Sequence, residues 1–318
     1  MSLPKIDLDK FLTPSKIKDY IKSSPARPRT ITKELYSKDV ATHPSPVYSY
    51  ADIRETTGNV PLVLRGGEPY VIADGTATYN FIEPQPISIA ETLSAVDLSN
   101  MLALGQTSIE KTLKEKINRF RKIILDTIEA LAIQSLNGKI DYQLKTNAGY
   151  EAFTIQFGEV ESITPDNKPE SVEDFYNVLT DANDKLQEKG YGQNIICYAG
   201  KTAFAKIVEI AGKYQGKVFI EFKDGGVNIG GYHIKPVNSG YKDRDGKFVR
   251  AIPDNKIKMI DKSAPFRLRY LAIDDVRAGL QATPIFIAKK IDRNITLEAQ
   301  SKPLVIPVPD AIIDIEVA

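Results

Sequence analysis

The run TSIEKTLKEKINRFRKIILDTIEALAIQSLN, residues 107–137, decides the architecture of this chain. Its apolar residues Ile109, Leu113, Ile117, Phe120, Ile124, Ile128 and Leu131 recur at steps of four, four, three, four, four and three. That is the period of a helix with one buried stripe. Lys and Glu fill the opposite face as far as Lys122, and neither Gly nor Pro interrupts before Gly138. At about 1.5 Å per residue such a helix spans roughly 46 Å, well over the usual globular length. It is a girder, and everything else in the chain is read by how it attaches to it.

On its N-terminal side the chain reads as extended. Thr13 and Pro14 open a short helix signal with Ile17, Tyr20 and Ile21 on one face. The stretches SSPARPRTI and ATHPSPVYSY then scatter prolines that hold the backbone extended. Residues 1–50 therefore form an arm without a core of its own, which must find partners elsewhere in the chain or on a neighbour. Residues 51–90 read as strands around the Gly66-Gly67 and Asp74-Gly75 turn signals, with Pro61, Pro69, Pro84 and Pro86 confining them to edges or ends. A two-stranded ribbon of this kind is marginal alone and needs a surface to lie on.

On the C-terminal side Gly138 stops the helix and a strand is expected at residues 153–157. A second helix follows, with Ser171 and Asp174 as a capping pair, Phe175, Leu179, Ala182 and Leu186 on its apolar face, and Gly190 as its end. Residues 194–198 read as a buried strand, and residues 202–211 as a short helix carrying Phe204, Ile207 and Val208. From Lys217 onward strands dominate, so the fold class is α+β. In the tail, Pro303, Pro307 and Pro309 exclude a central strand, and AIIDIEV, residues 311–317, is expected to pair at an edge.

Composition narrows the functional classes. The chain has 318 residues, 42 Lys plus Arg against 41 Asp plus Glu, and a net charge of +1, with no basic excess suited to a dedicated nucleic-acid grip. The first fifty residues are mildly basic, with nine Lys or Arg against five Asp or Glu. No stretch approaches eighteen apolar residues and the N-terminus lacks a signal-peptide core, so a soluble protein in a reducing compartment is expected. The single Cys197 sits in an apolar run and reads as a buried hydrophobe.

Catalytic chemistry finds little support. Only His43 and His233 are present, the first in a proline-rich arm and the second in a strand, and neither has a partner at metal-ligand spacing. The segment YKDRDGKFV, with Asp243, Asp245 and Gly246, resembles the middle of a calcium loop. In the EF-hand register, however, Tyr241 and Ile252 occupy the end positions where carboxylates are required, so a tight turn is expected. Gly225-Gly226 and Gly230-Gly231 open no helix and lack a following Lys-Ser or Lys-Thr, so they read as bends or bulges in strands. Asp274-Asp275 and Glu159 with Glu161 are ordinary surface acids. No cofactor or metal is expected, and the chain is read as a non-enzyme. An arm and a ribbon without cores, attached to a rigid rod, point instead to assembly with identical neighbours.

Five segments together carry a family resemblance. They are TIEALAIQSLNGKI (127–140), with Glu129, Gly138 and Lys139; Phe157-Gly158; YKDRDGK (241–247), with Tyr241, Asp243, Asp245 and Gly246; IPDN (252–255), with Pro253; and SKPLVIPVPDA (301–311), with Pro303, Leu304, Pro309 and Asp310. In combination the chain resembles the major capsid protein E family of tailed bacteriophages and prophages, the lambda-like branch of the HK97 capsid fold.

The resemblance implies an N-terminal arm (1–50), an E-loop ribbon (51–90), and a P-domain (91–164) with its spine helix at 107–137. It further implies a compact A-domain (165–285) and a C-terminal return to the P-domain (286–318). It implies a major head protein that self-assembles as hexamers and pentamers into an icosahedral shell around phage double-stranded DNA, without sequence-specific binding. A separate scaffolding protein, a maturation protease, a portal and a decoration protein would be its partners. Its location would be the virion capsid, and the host bacterial cytoplasm during assembly. Leu62, Leu64, Tyr70, Ile72, Tyr79 and Phe81 are the candidate inter-subunit contacts of the ribbon. The alternatives are an encapsulin-like compartment, a phage tail or adaptor protein, and an enzyme with a carboxylate-only site.

Overall fold

The computed structural model describes residues 13, 16–17, 19–20, 29–53, 77–165, 167–213, 220–243, 246–291 and 295–317. The long helix runs from Gln106–Ser135. Gly105, at φ 89°, admits the chain to it, and Gly138, at φ 74°, turns the chain away in a conformation that L side chains rarely adopt. Ile109, Leu113, Ile117, Phe120, Ile124 and Ile128 are all buried, as their spacing predicts. Leu131, the last member of the expected stripe, is only half-buried. Beyond Ile128 the helix is enclosed on nearly every side, with Glu129, Ala130, Ala132, Ile133, Ser135 and Leu136 all buried. A single stripe no longer describes it there.

Part of what encloses it is the arm. Ile31, Leu35 and Tyr36 are buried in the core shared with the long helix. Three side chains on the helix hold this strap. The Arg29 guanidinium donates to Asp126 at 3.0 Å, and the backbone N–H groups of Ile31 and Thr32 donate to the two Glu129 oxygens at 2.9 Å each. The Tyr36 and Ser135 hydroxyls meet at 2.6 Å. Val40–His43 then pairs in parallel with Arg267–Leu271, where Arg269 forms a two-toothed ion pair with Asp39. The described arm from residue 29 onward is thus seated on its own chain, which corrects the view that it waits for a neighbour.

The largest sheet has seven strands in the order Glu161–Ile163, Ile312–Glu316, Lys256–Asp261, Ile195–Ala199, Tyr232–Pro236, Gly226–Ile229 and Ile220–Lys223. Its residues alternate between two cores. Cys197, Ala199, Ile257, Met259, Ile313 and Ile315 lie beneath the helices Val172–Glu188 and Lys201–Gly212. Ile196, Tyr198, Ile260 and Ile312 join the core of the long helix. Burial on both faces explains why residues 195–198 read as an unbroken apolar run. The Ser171–Asp174 capping box forms as expected, with both reciprocal hydrogen bonds.

Two sequence readings need correction here. Ile312–Glu316 is interior, between Lys256–Asp261 and Glu161–Ile163, and not at an edge. The prolines limit only the preceding strand, Pro303–Ile306, which is an edge of the three-stranded sheet. The paired glycines are hairpin turns and not bends or bulges. Asp224 and Gly225, then Gly230 and Gly231, all have positive φ, the signature of two-residue turns between antiparallel strands.

The remaining strands project or brace. Tyr48–Ile53 pairs with Ala77–Ile82 as the base of a ribbon. Ile87–Leu93 continues into a second three-stranded sheet with Ile295–Ser301 and Phe286–Ile291. Lys139–Thr146 and Gly149–Gln156 form a hairpin that extends the expected strand at 153–157.

Candidate assembly surfaces

Four of the five segments that carry the resemblance meet at the C-terminal end of the long helix. The Gly138 carbonyl accepts from Phe157 N–H at 2.9 Å and from Gly158 N–H at 3.3 Å. A Cβ on Gly138 would lie 2.1 Å from the Gly158 carbonyl oxygen, and one on Gly158 would lie 3.3 Å from Pro309. The Gln134 amide donates to the Tyr241 hydroxyl at 3.1 Å. Asp310 lies 3.6 Å from Lys189, which also binds Glu161 at 2.9 Å. Pro253 is drawn in by Gly200, where a Cβ would come within 1.9 Å of the Pro253 carbonyl oxygen. Pro303 and Leu304 are buried in the edge strand that pairs with Arg267–Leu271. Lys139 is exposed at the start of the hairpin.

Two buried charges stand on the strand Lys256–Asp261, and neither was singled out in the sequence. Lys258 projects from the centre of the seven-stranded sheet to the Leu136 carbonyl oxygen, 3.1 Å away at the C-terminus of the long helix, and also binds Asp314 on the adjacent strand. Burial pulls its pKa down and Asp314 opposes that pull. Asp261 accepts from the backbone N–H groups of Gly192, Gln193, Asn194 and Ser263 and from the Ser263 hydroxyl. Burial works against its charge, yet these donors prevail and hold the carboxyl below its usual range.

The YKDRDGK segment is a tight turn between the strands Gly240–Lys242 and Phe248–Arg250. Gly246, at φ 75°, donates to the Asp243 carbonyl, and the Lys247 N–H donates to the Asp243 side chain. Asp245 lies outside the described residues. No group of His, Cys, Asp and Glu among the described residues could hold a metal ion. Burial pushes the Cys197 thiol up to about 12, and it lowers the His233 pKa, assisted by Lys235. Both are therefore neutral near pH 7. A shallow groove of about 320 Å³ lined by Phe204, Val208 and Phe222 gathers no converging acids.

The outward features include exposed apolar side chains. Phe81, at the base of the ribbon, is 74% exposed. Tyr79 stands in register with Ala51, while Leu62, Leu64, Tyr70 and Ile72 lie outside the described residues.

A second surface was missed in the sequence. The loop after Arg267–Leu271 presents Val276 at 88% and Leu280 at 60% exposure. It is held firmly. Asp275 accepts from the Arg277 backbone at 2.8 Å, from its guanidinium at 2.6 and 3.1 Å, and from the Gln300 amide at 3.2 Å, while Arg277 also binds Glu298. Leu280 is fixed at φ 54°, a strained conformation for a branched residue. Isolated apolar residues in a polar loop leave no periodic signal, so only the fold reveals them.

A sequence profile described as phage major capsid protein E matches residues 13–317. The chain belongs to that family. As a member of the phage major capsid protein E family it is a shell-forming protein whose place is the virion capsid, assembled from many copies. No curated protein sequence matches it.

Solved structures agree on the fold. A prophage capsid protein of E. coli CFT073 is similar at TM-score 0.58 and 13% identity, covering 96% of this chain and 99% of the other. The capsid of the empty GTA particle gives 0.53 at 12%, covering 93% and 92%. The SrpI encapsulin of Synechococcus elongatus PCC 7942 gives 0.50 at 11%, covering 100% and 96%. At such identities the likeness shows a shared α+β, HK97-like capsid architecture, and the family profile is what separates phage capsid from encapsulin.

Proposed function

We propose that the chain forms hexamers and pentamers of an icosahedral shell that encloses phage double-stranded DNA, and that its role is structural and not enzymatic. The observation that carries this reading is the family match across residues 13–317, which takes in ribbon, girder, sheet and tail alike. In it, residues 1–50 act as the arm, 51–90 as an E-loop laid over an adjacent subunit, 91–164 with 286–318 as the P-domain, and 165–285 as the A-domain facing the capsomer centre. The strands Glu161–Ile163 and Ile312–Glu316, from the segments we assign to the P-domain, pair into one sheet with strands of residues 195–261. Assembly takes place in the host bacterial cytoplasm with a scaffolding protein, a maturation protease and a portal.

The contacts we assign are the ribbon, from Leu62 to Phe81, and the loop bearing Val276 and Leu280. Burying one such side chain contributes about 1.5–3 kcal/mol, so many modest contacts allow reversible encounter before the shell closes. Ile53 and Ala77 already face each other across the ribbon, so residues 54–76 can be replaced by an Asn-Gly turn without disturbing its base. Full-length protein co-expressed with its scaffold should give closed shells by electron microscopy, and the shortened protein should remain folded but form none. Shells built from the shortened protein would refute the ribbon's role. Shells that enclose an enzyme cargo in place of DNA would favour an encapsulin-like compartment.

A further inference from the structure

Although the whole chain is nearly neutral, charge is concentrated on one part of the long helix. Residues 111–122 contain Lys111, Lys114, Lys116, Arg119, Arg121 and Lys122 against the single acid Glu115. Glu91, on the adjacent strand, binds Lys116 and lies 3.9 Å from Arg119. Glu110, just before this segment, is occupied by the Tyr20 hydroxyl at 3.1 Å and lies 3.9 Å from Lys16. Among the described residues, Lys111, Lys114 and Lys122 have no hydrogen-bond or ion-pair partner, and Arg119 keeps 69% of its side chain exposed.

Helix geometry gathers these cations. Eleven residues make almost a whole number of turns, so Lys111 and Lys122 stand on one line about 16.5 Å apart, with Lys114 and Arg119 on either side. Lys111, Arg119 and Lys122 lie on the side away from the buried stripe of Ile109, Leu113, Ile117, Phe120 and Ile124, and Lys114 stands on its flank. Lys111 with Lys114 and Arg119 with Lys122 are like-charged neighbours three residues apart, and Glu115, four residues from both Lys111 and Arg119, offsets only part of that charge. Along one strand of duplex DNA a phosphate recurs about every 3.4 Å of axis, so a strip of this length sets its four cations against about five phosphates.

We propose that this face of the long helix is a sequence-independent contact for the phosphate backbone of duplex DNA, and hence that it lines the interior of the shell. The proposal rests on the reading that the shell encloses DNA. Lysines at the ends of flexible stems act as point charges on phosphate and read no bases. Near-neutrality elsewhere confines the grip to this strip, so the wall meets DNA without binding it tightly.

The test uses full-length, unassembled protein and a fluorescein-labelled 30-base-pair duplex of random sequence, titrated by anisotropy between 50 and 200 mM NaCl. The variant Lys111→Gln/Lys114→Gln/Lys122→Gln should bind at least about tenfold more weakly at 50 mM salt, and its slope of log K against log salt should fall by roughly two to three. A control, Lys145→Gln/Lys223→Gln/Lys242→Gln, removes three exposed lysines elsewhere and should leave affinity and slope within error.

Equal weakening by both variants overturns the proposal, as does wild-type protein that fails to bind at 50 mM salt. So does a strip variant that loses binding to polyglutamate while keeping duplex DNA, which would assign the face to an acidic protein. Shell formation is scored separately by electron microscopy with scaffold. Loss of shells by the wild type counts against the capsid reading, whereas loss of the salt slope concerns the strip alone.

Discussion

The Lys258 ammonium lies 3.1 Å from the Leu136 carbonyl oxygen, so a lysine from the middle of the seven-stranded sheet caps the C-terminus of the long helix. The positive charge meets the negative end of the helix dipole, and Asp314 completes its neutralisation. Removing one member of a buried charged set strands the others. Lys258→Met should therefore lower subunit stability by about 3 kcal/mol, read as a lower denaturant midpoint, while a Lys258→Met/Asp314→Leu double variant should recover most of that loss.

Asp261 gives the subunit a defined acid sensitivity. Its folded pKa lies below the unfolded value of about 3.9, so its contribution is complete above that value and is lost as pH falls through the folded pKa. Asp261→Asn should destabilise the protein at pH 7 by about 1.5–3 kcal/mol. It should also flatten the fall in stability below about pH 4, measured by urea unfolding at each pH.

Gly138→Ala should cost about 2–4 kcal/mol, because the new Cβ meets the Gly158 carbonyl oxygen and the backbone must keep a positive φ. Thermal unfolding will show it. Gly149→Ala, also at positive φ but in open space, should cost less.

Val276→Ser combined with Leu280→Gly should separate folding from assembly. Val276 is almost wholly exposed and Leu280 is strained, so subunit stability should change by less than about 1 kcal/mol. Light scattering in the presence of scaffold should show strongly reduced shell formation. Normal shells from this variant would remove the loop from the interface.

The sequence carried those features whose cause is local. The long helix was legible because one period persists from Ile109 to Ile128, and the second helix because Ser171 and Asp174 cap each other three residues apart. Glu129, Gly138 and Pro253 were visible as family motif residues, but what they touch lies far along the chain, at Ile31, Gly158 and Gly200. Lys258 and Asp261 fall in KIKMID, where nothing local distinguishes a buried ion from a solvated one. The interior place of Ile312–Glu316 was hidden because the strand beyond it, Glu161–Ile163, has three residues and comes from the other side of two helices. Val276 and Leu280 carry no pattern at all.

The position of Ile312–Glu316 also sets the order of events during synthesis. Its two neighbours, Glu161–Ile163 and Lys256–Asp261, leave the ribosome earlier and keep unpaired backbone edges until residues 312–316 emerge. A nascent chain cannot offer a finished subunit to a growing lattice. Attachment of Glu161–Ile163 to the sheet thus waits for residues 312–316.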